Sequence, residues 1–216
     1  MSSSSTLVTA DHFAYLAART RGDDALLVEL KRTAEKAGIP PIWVAPEQAS
    51  FMQILLRASG ARRVVEVGTL AGYSAIQMAR ALPADGRVDT IELSKKHAEF
   101  AREWIARSDV RERIVVHEGK GADVLRDFSA DSADAAFLDA DKSSYPIYLE
   151  HALRIVRRGG LILVDNAFAF GQLLDDEPTD REVEAVRAFN DLVARDRRLH
   201  AIIVPIGDGL WVGVRL

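Results

Sequence analysis

Two short polar clusters, Asp139-Ala140-Asp141-Lys142 and Asp165-Asn166, each follow an apolar run, Phe137-Leu138 and Leu163-Val164 respectively. If those runs are neighbouring strands, Asp139, Asp165 and Asn166 meet on one rim of a sheet. Three oxygen donors with no soft ligand suit a hard cation: Mg²⁺, Mn²⁺ or Ca²⁺. Octahedral Mg²⁺ held this way keeps further positions open for water or a substrate. One strand-end carboxylate decides nothing by itself, and the two clusters together carry the reading. The chain has no cysteine, which excludes disulfides, thiolate metal sites and a cysteine nucleophile. Its five histidines, His12, His97, His117, His151 and His200, include no pair at metal-ligand spacing.

A second group lies upstream. The run Val64-Val65-Glu66-Val67 leads into Gly68-Thr69-Leu70-Ala71-Gly72-Tyr73-Ser74. Glycines four apart at a strand-to-helix turn let the backbone approach a ligand closely. The dinucleotide pattern G-x-G-x-x-G is absent, and a carboxylate at Glu66 would repel phosphate and attract a cation. Glu92 closes the next apolar run, where an acid accepts hydrogen bonds from ribose hydroxyls in nucleoside-binding sheets. It equally suits the N-terminus of the helix that follows. Gly119-Lys120-Gly121-Ala122 after the third run reads as a close approach to a flat ring or as an ordinary turn.

The elements that must position these residues follow from periodicity. Helices are expected over 8–19, 23–38 and from Pro46 onward, the last with Phe51, Ile54, Leu55 and Ala58 at helical spacing. Beyond Arg63, apolar runs at 64–67, 88–91, 114–116, 135–138 and 161–164 alternate with helical stretches near 73–82, 95–107, 121–128, 144–157 and 180–195. Strand–helix repetition of this kind means a parallel sheet covered on both faces. Runs at 201–204 and 210–214 flank Pro205-Ile206-Gly207-Asp208-Gly209, a hairpin-type turn, so one edge is expected to be antiparallel. Ligands bind beyond the carboxyl ends of such strands. Every cluster above lies at one of those ends.

A length of 216 residues, 48% apolar and 28% charged, fits one soluble domain: a flexible tail at 1–6, an N-terminal helical cap at 7–60 and an α/β core at 61–216. The net charge of −4 and the scattered Lys and Arg give no nucleic-acid footprint. No signal peptide or bilayer-length apolar run is present, so no membrane partner and a cytoplasmic location are expected.

These motifs, with Pro46-Glu47-Gln48, Ala81-Leu82-Pro83, Tyr145, Tyr148 and Arg158-Gly159-Gly160-Leu161, resemble the cation-dependent class I O-methyltransferases, the catechol and caffeoyl-CoA O-methyltransferase group. The likeness runs from about Tyr15 to the C-terminus. It implies a three-layer, Rossmann-like α/β fold with a seven-stranded, mostly parallel sheet and an antiparallel edge hairpin. It also implies S-adenosyl-L-methionine as cofactor, a divalent metal and a frequent homodimer. By matching position, Asp139, Asp165 and Asn166 hold the metal. Val44, Glu66, Gly68, Thr69, Ser74, Glu92, Gly121 and Asp139 face the cofactor, and Lys142 matches the catalytic base, with Asp139 beside it. The implied reaction methylates a hydroxyl of a small catechol-like acceptor. A cation lowers the acceptor's pKa, and Lys142, its own pKa depressed by that cation, takes the proton.

Where many relatives carry an aliphatic–Trp–x–Gly pattern after Asp165-Asn166, this chain reads Ala167-Phe168-Ala169-Phe170-Gly171, which leaves the acceptor open. Lys120 stands where bacterial relatives often have Asp. Tyr145 and Tyr148 read as packing or as orienting the Asp139 loop. Trp43, Trp104 and Trp211 read as core or interface. Asp141 reads as a supporting partner or a helix-start acid. Two rivals share the fold class: an NAD-dependent oxidoreductase, and a non-catalytic metabolite-binding protein.

Overall fold

The computed structural model describes residues 7–216, so the expected tail at 1–6 lies outside the described residues. Three helices precede the sheet: α1 (Ala10–Ala17), α2 (Ala25–Lys36) and α3 (Pro46–Ala58). The Asp24 carboxylate caps α2 by accepting from Leu27 N at 3.0 Å, and α2 buries Leu27, Leu30 and Ala34. Pro46 opens α3, where its missing N–H costs nothing. Helix α1 is shorter than its pattern suggested and buries no residue.

Strands β1 (Arg63–Val67), β2 (Arg87–Glu92), β3 (Ile114–Glu118), β4 (Ala133–Leu138) and β5 (Val156–Val164) alternate with α4 (Tyr73–Ala81), α5 (Lys95–Ala106), α6 (Gly121–Val124) and α7 (Tyr145–Ile155). Helix α8 (Val183–Arg195) and strands β6 (Leu199–Val204) and β7 (Leu210–Arg215) complete the chain. The seven strands run in the order β3-β2-β1-β4-β5-β7-β6. Strands β1 to β5 pair in parallel, while β7 is antiparallel to both β5 and β6. The antiparallel edge is therefore present, with β7 inserted between β5 and β6.

Strand alternation divides the core into two layers. Val64, Val88, Phe137 and Leu163 face α2 to α5, whereas Val65, Val67, Leu138 and Val164 face α7 and α8. Residues of α2 and α3 belong to the first of these clusters, so the N-terminal helices share a core with the sheet. Among the described residues, no helix is long and apolar enough to cross a membrane.

Two elements differ from their sequence patterns. The helix expected near 121–128 is one α-helical turn followed by a 3₁₀ turn, Leu125–Asp127. That stretch buries little beyond Gly121 and Leu125, too small a face to sustain a longer helix. The helix expected to reach 157 stops at Ile155, because Val156 already pairs with Ala133 and begins a nine-residue β5.

Candidate active site

Sheet register builds the site. Val67 pairs with Leu138, and Leu138 with Val164, so the next residues, Gly68, Asp139 and Asp165, emerge side by side at the carboxyl rim. Backbone bonds continue the ladder for one more step: Asp139 N donates to Val67 O, and Asp165 N to Leu138 O. This rim also flanks the point where the chain reverses its direction of travel across the sheet, between β1 and β4. Gly68 has φ +105°, and a Cβ there would overlap the Asp139 carbonyl oxygen. Only glycine lets the first loop lie directly against the Asp139 turn.

A cavity of about 1070 Å³ opens above this row. Val44, Gly68, Thr69, Ser74, Glu92, Gly121, Asp139, Lys142, Asp165 and Asn166 line it. Glu66 does not: it is fully buried, behind Ser74, whose hydroxyl donates to its Oε1 at 2.5 Å. Its Oε2 is buried without a partner. Burial raises the Glu66 pKa to about 8, with the charges of Asp139 and Glu92 adding to the rise. The group is thus largely a neutral acid at pH 7, which corrects its expected action as a fixed anion.

The sign of the pH effect follows. Between about pH 4.5 and 8 the folded chain holds a proton that the unfolded chain has released, so stability falls as pH rises through that window. Glu66→Gln, neutral throughout, is expected to raise the melting temperature of the ligand-free protein at pH 8.5. The gain is on the order of a few kcal/mol and shrinks toward pH 5. Thermal unfolding across that range checks it.

Glu92 is held by the loops it joins: its Oε2 accepts from Leu70 N and its Oε1 from Ser94 N, each at 2.8 Å. Each oxygen keeps acceptor capacity toward the cavity. The Thr69 hydroxyl turns away from the cavity to meet Thr90 Oγ1 at 2.6 Å. Gly121 packs its backbone against Val67 and Tyr148 with no room for a side chain.

At the other end, Lys142 is only 5% exposed, and its Nζ donates to Asp139 Oδ1 at 3.1 Å and to Tyr145 Oη at 2.7 Å. Tyr145 in turn donates to the Asp165 carbonyl at 3.3 Å, while its ring meets Phe189 of α8 edge-on. Asp165 accepts from Gln48 Nε2 at 2.6 Å. Burial first, and then the charge of Asp139, raises the Asp165 pKa to about 7. The Tyr148 hydroxyl donates to Asp141 Oδ1 at 2.7 Å, and Asp141 starts the 3₁₀ turn that carries Lys142. Asp141 is thus a supporting group, and both tyrosines orient the turn after β4. Among the described residues, no group of three or more His, Cys, Asp and Glu is placed to hold a metal ion. The donors present are two carboxylates, Asp139 and Asp165, and the amide of Asn166, all on the cavity wall.

The O-methyltransferase family model matches residues 17–216. The chain belongs to the O-methyltransferase family. A catechol O-methyltransferase of Niastella koreensis is 40% identical over 187 residues, covering 85% of this chain and 84% of that protein. A catechol O-methyltransferase of Mycobacterium tuberculosis is 36% identical over 204 residues, covering 94% and 92%. The crystal structure of an O-methyltransferase from Bacillus cereus in complex with SAH superposes with a TM-score of 0.85 at 34% identity, covering 94% of this chain and 96% of that one. The oxidoreductase and the non-catalytic readings give way to this family.

Three residues of the enzyme's cavity carried no role in the sequence reading. Gln48 was visible only as part of a motif, and Asp208 only as part of a turn, yet both contact the donor end. Trp43, read as core or interface, packs partly buried against the core and also lines the cavity, whereas Trp104 and Trp211 are buried. The signal for Asp208 was its place: β6 runs parallel to β5, so the turn after β6 must lie on the same rim.

Proposed function

We propose that this enzyme transfers a methyl group from S-adenosyl-L-methionine to one hydroxyl of a small aromatic acceptor bearing two adjacent oxygens. We further propose that it works with a divalent cation, Mg²⁺ or its hard relatives, held by Asp139, Asp165 and Asn166. The observation that carries the reading is the register row at the sheet's rim: two carboxylates and an amide stand beside a buried lysine, in one cavity with Glu92. The donor set fits a hard cation. Burial beside Asp139 disfavours the charge on Asp165, and an added cation relieves that cost. When bound, the cation would lower the acceptor's pKa and fix both oxygens. The cofactor would supply an electrophilic methyl group on a sulfonium.

The chain's own residues do the rest. Glu92 accepts from the ribose hydroxyls, and Gly68 lets the backbone approach the cofactor. Val44, Thr69, Ser74 and Gly121 complete that wall, and Glu66 sets the position of Ser74. Lys142, anchored on Tyr145, takes the acceptor proton. Phe170, which lines the cavity near Lys142, would flank the acceptor. Alignment of acceptor and methyl donor contributes ~7–11 kcal/mol where geometry is good.

Calorimetry is expected to show binding of S-adenosylhomocysteine and none of NADH. Turnover of catechol should require a divalent metal and stop with EDTA; cofactor binding without metal-dependent turnover of any vicinal diol overturns the proposal. Glu92→Gln should weaken S-adenosylhomocysteine by about 10- to 100-fold, the range for one hydrogen bond to a charged acceptor. Unchanged affinity removes Glu92 from the cofactor site. A homodimer and a cytoplasmic location are part of the same reading. Exposed Leu7, Tyr15 and Leu16 around α1 support the former.

A further inference from the structure

The turn at 205–209 touches both halves of the donor set. On one side, a Cβ at Gly207 would overlap Gln48 Oε1, and the amide nitrogen of the same Gln48 reaches Asp165 Oδ1 at 2.6 Å. On the other side, the Asp208 carboxylate accepts three hydrogen bonds. They come from Asn166 Nδ2 at 3.1 Å, Phe170 N at 2.8 Å and Gly171 N at 3.2 Å. The Asp208 and Gly209 carbonyls accept from Phe168 N and Ala167 N, both at 2.8 Å.

The segment so gripped is one that would not hold its shape unaided. Ala169 and Phe170 have φ of 52° and 60°, a left-handed region that such residues avoid, while Asn166, at 61°, is of the type that tolerates it best. Strain of this kind persists only where surrounding bonds over-determine it. Asp208 supplies three of those bonds from a single side chain.

The chemistry at Asn166 is directional. An ionised carboxylate only accepts, so the amide must turn its NH₂ to Asp208. Its carbonyl oxygen is then released from that contact and left for another partner. Asp208 itself lines the cavity. We propose that Asp208 is a positioning residue: it fixes the amide orientation of Asn166, so that Oδ1 serves as the third donor, and it holds Phe170 at the mouth of the cavity. This rests on the cation site proposed above.

The test is a double-mutant cycle read in Mn²⁺ affinity, by the loss of the free-ion paramagnetic resonance signal on binding. Asp208→Ala removes the acceptor that holds the NH₂ of Asn166 and should weaken Mn²⁺ at least 10-fold. Asp208→Asn keeps a carbonyl oxygen for that NH₂ and should stay within about 3-fold of the wild type. Asn166→Ala removes the third donor itself and should weaken Mn²⁺ as well; with that donor gone, adding Asp208→Ala should cost less than about 3-fold more, a strongly non-additive result. Affinity for S-adenosylhomocysteine should stay within about 2-fold in every variant.

Additive losses, an Asp208→Ala protein that binds Mn²⁺ like the wild type, or an Asp208→Asn protein as weak as Asp208→Ala, overturn the positioning role and leave the cation site standing. A parallel loss of cofactor affinity also overturns it, because the effect is then a general collapse of the rim. A wild-type protein that binds no Mn²⁺ removes the cation site, and this inference with it.

Discussion

Asp165→Asn is expected to melt at a higher temperature than the wild type at pH 8 without metal, and to turn over at least ~100-fold more slowly with it. The two effects share a cause. Asp165 is buried against Asp139, and its pKa is raised from 3.8 to about 7. From about pH 4 to 7 the folded state therefore holds a proton that the unfolded state has lost, and stability declines as pH rises through that window. Above pH 7 the native state carries an ionised carboxylate next to another, tempered by Lys142 and Gln48. Asparagine removes that charge and keeps an oxygen to accept from Gln48. It also removes one of the two carboxylates in the donor set. Added Mg²⁺ should consequently raise the wild-type melting temperature and leave that of Asp165→Asn nearly unchanged. Thermal unfolding at pH 8 with and without Mg²⁺, alongside a catechol turnover assay, checks both halves. A variant less stable than the wild type at pH 8, or equally active, contradicts the argument.

The donor row was legible in the sequence because its cause is local. Short continuous apolar runs mark strands buried on both faces, and a polar residue just beyond a run must sit at a strand end. Asp139 and Asp165 follow runs whose register in the sheet is Leu138 opposite Val164. Nothing beyond adjacency of β4 and β5 is needed to bring them together. What the sequence hid depends on contacts between distant segments. Gln48 and Asp165 are 117 residues apart, and Asn166 and Asp208 are 42 apart. No periodicity connects either pair. The protonation of Glu66 was hidden for a related reason: an acid on a strand reads alike whether it faces a cavity or lies sealed behind Ser74. The insertion of β7 between β5 and β6 was likewise out of reach, since a hairpin turn says which strands pair and not which of them meets the rest of the sheet. Helix α1 shows the opposite failure. Its pattern pointed to a helix over 8–19, and the helix spans only Ala10–Ala17 with no residue buried to hold its ends.

Lys142→Met is expected to lower kcat for a catechol acceptor by about 10²- to 10⁴-fold at pH 7, the span of a positioned general base. The methionine fills similar space in a site where Lys142 is almost fully buried, so the core beneath it is preserved. A packing role and a proton-accepting role are separated by pH. The acceptor hydroxyl, a phenol, ionises by itself as pH approaches about 10, and a base is then no longer needed. The deficit should accordingly shrink steadily as the assay pH is raised from 7 toward 9.5, while a deficit of packing would stay constant. Metal affinity gives a second discriminator. The ammonium donates to Asp139 Oδ1 and its charge also acts on Asp165. Removing it leaves the two carboxylates more negative, so Mn²⁺ should bind as tightly as before or more so even though the rate has fallen. Tighter metal with slower chemistry is the signature of a lost base. Weaker metal, a pH-independent deficit and a depressed melting temperature together would assign Lys142 to holding Tyr145 and Asp139 in place, and the proton would then have to leave by another route.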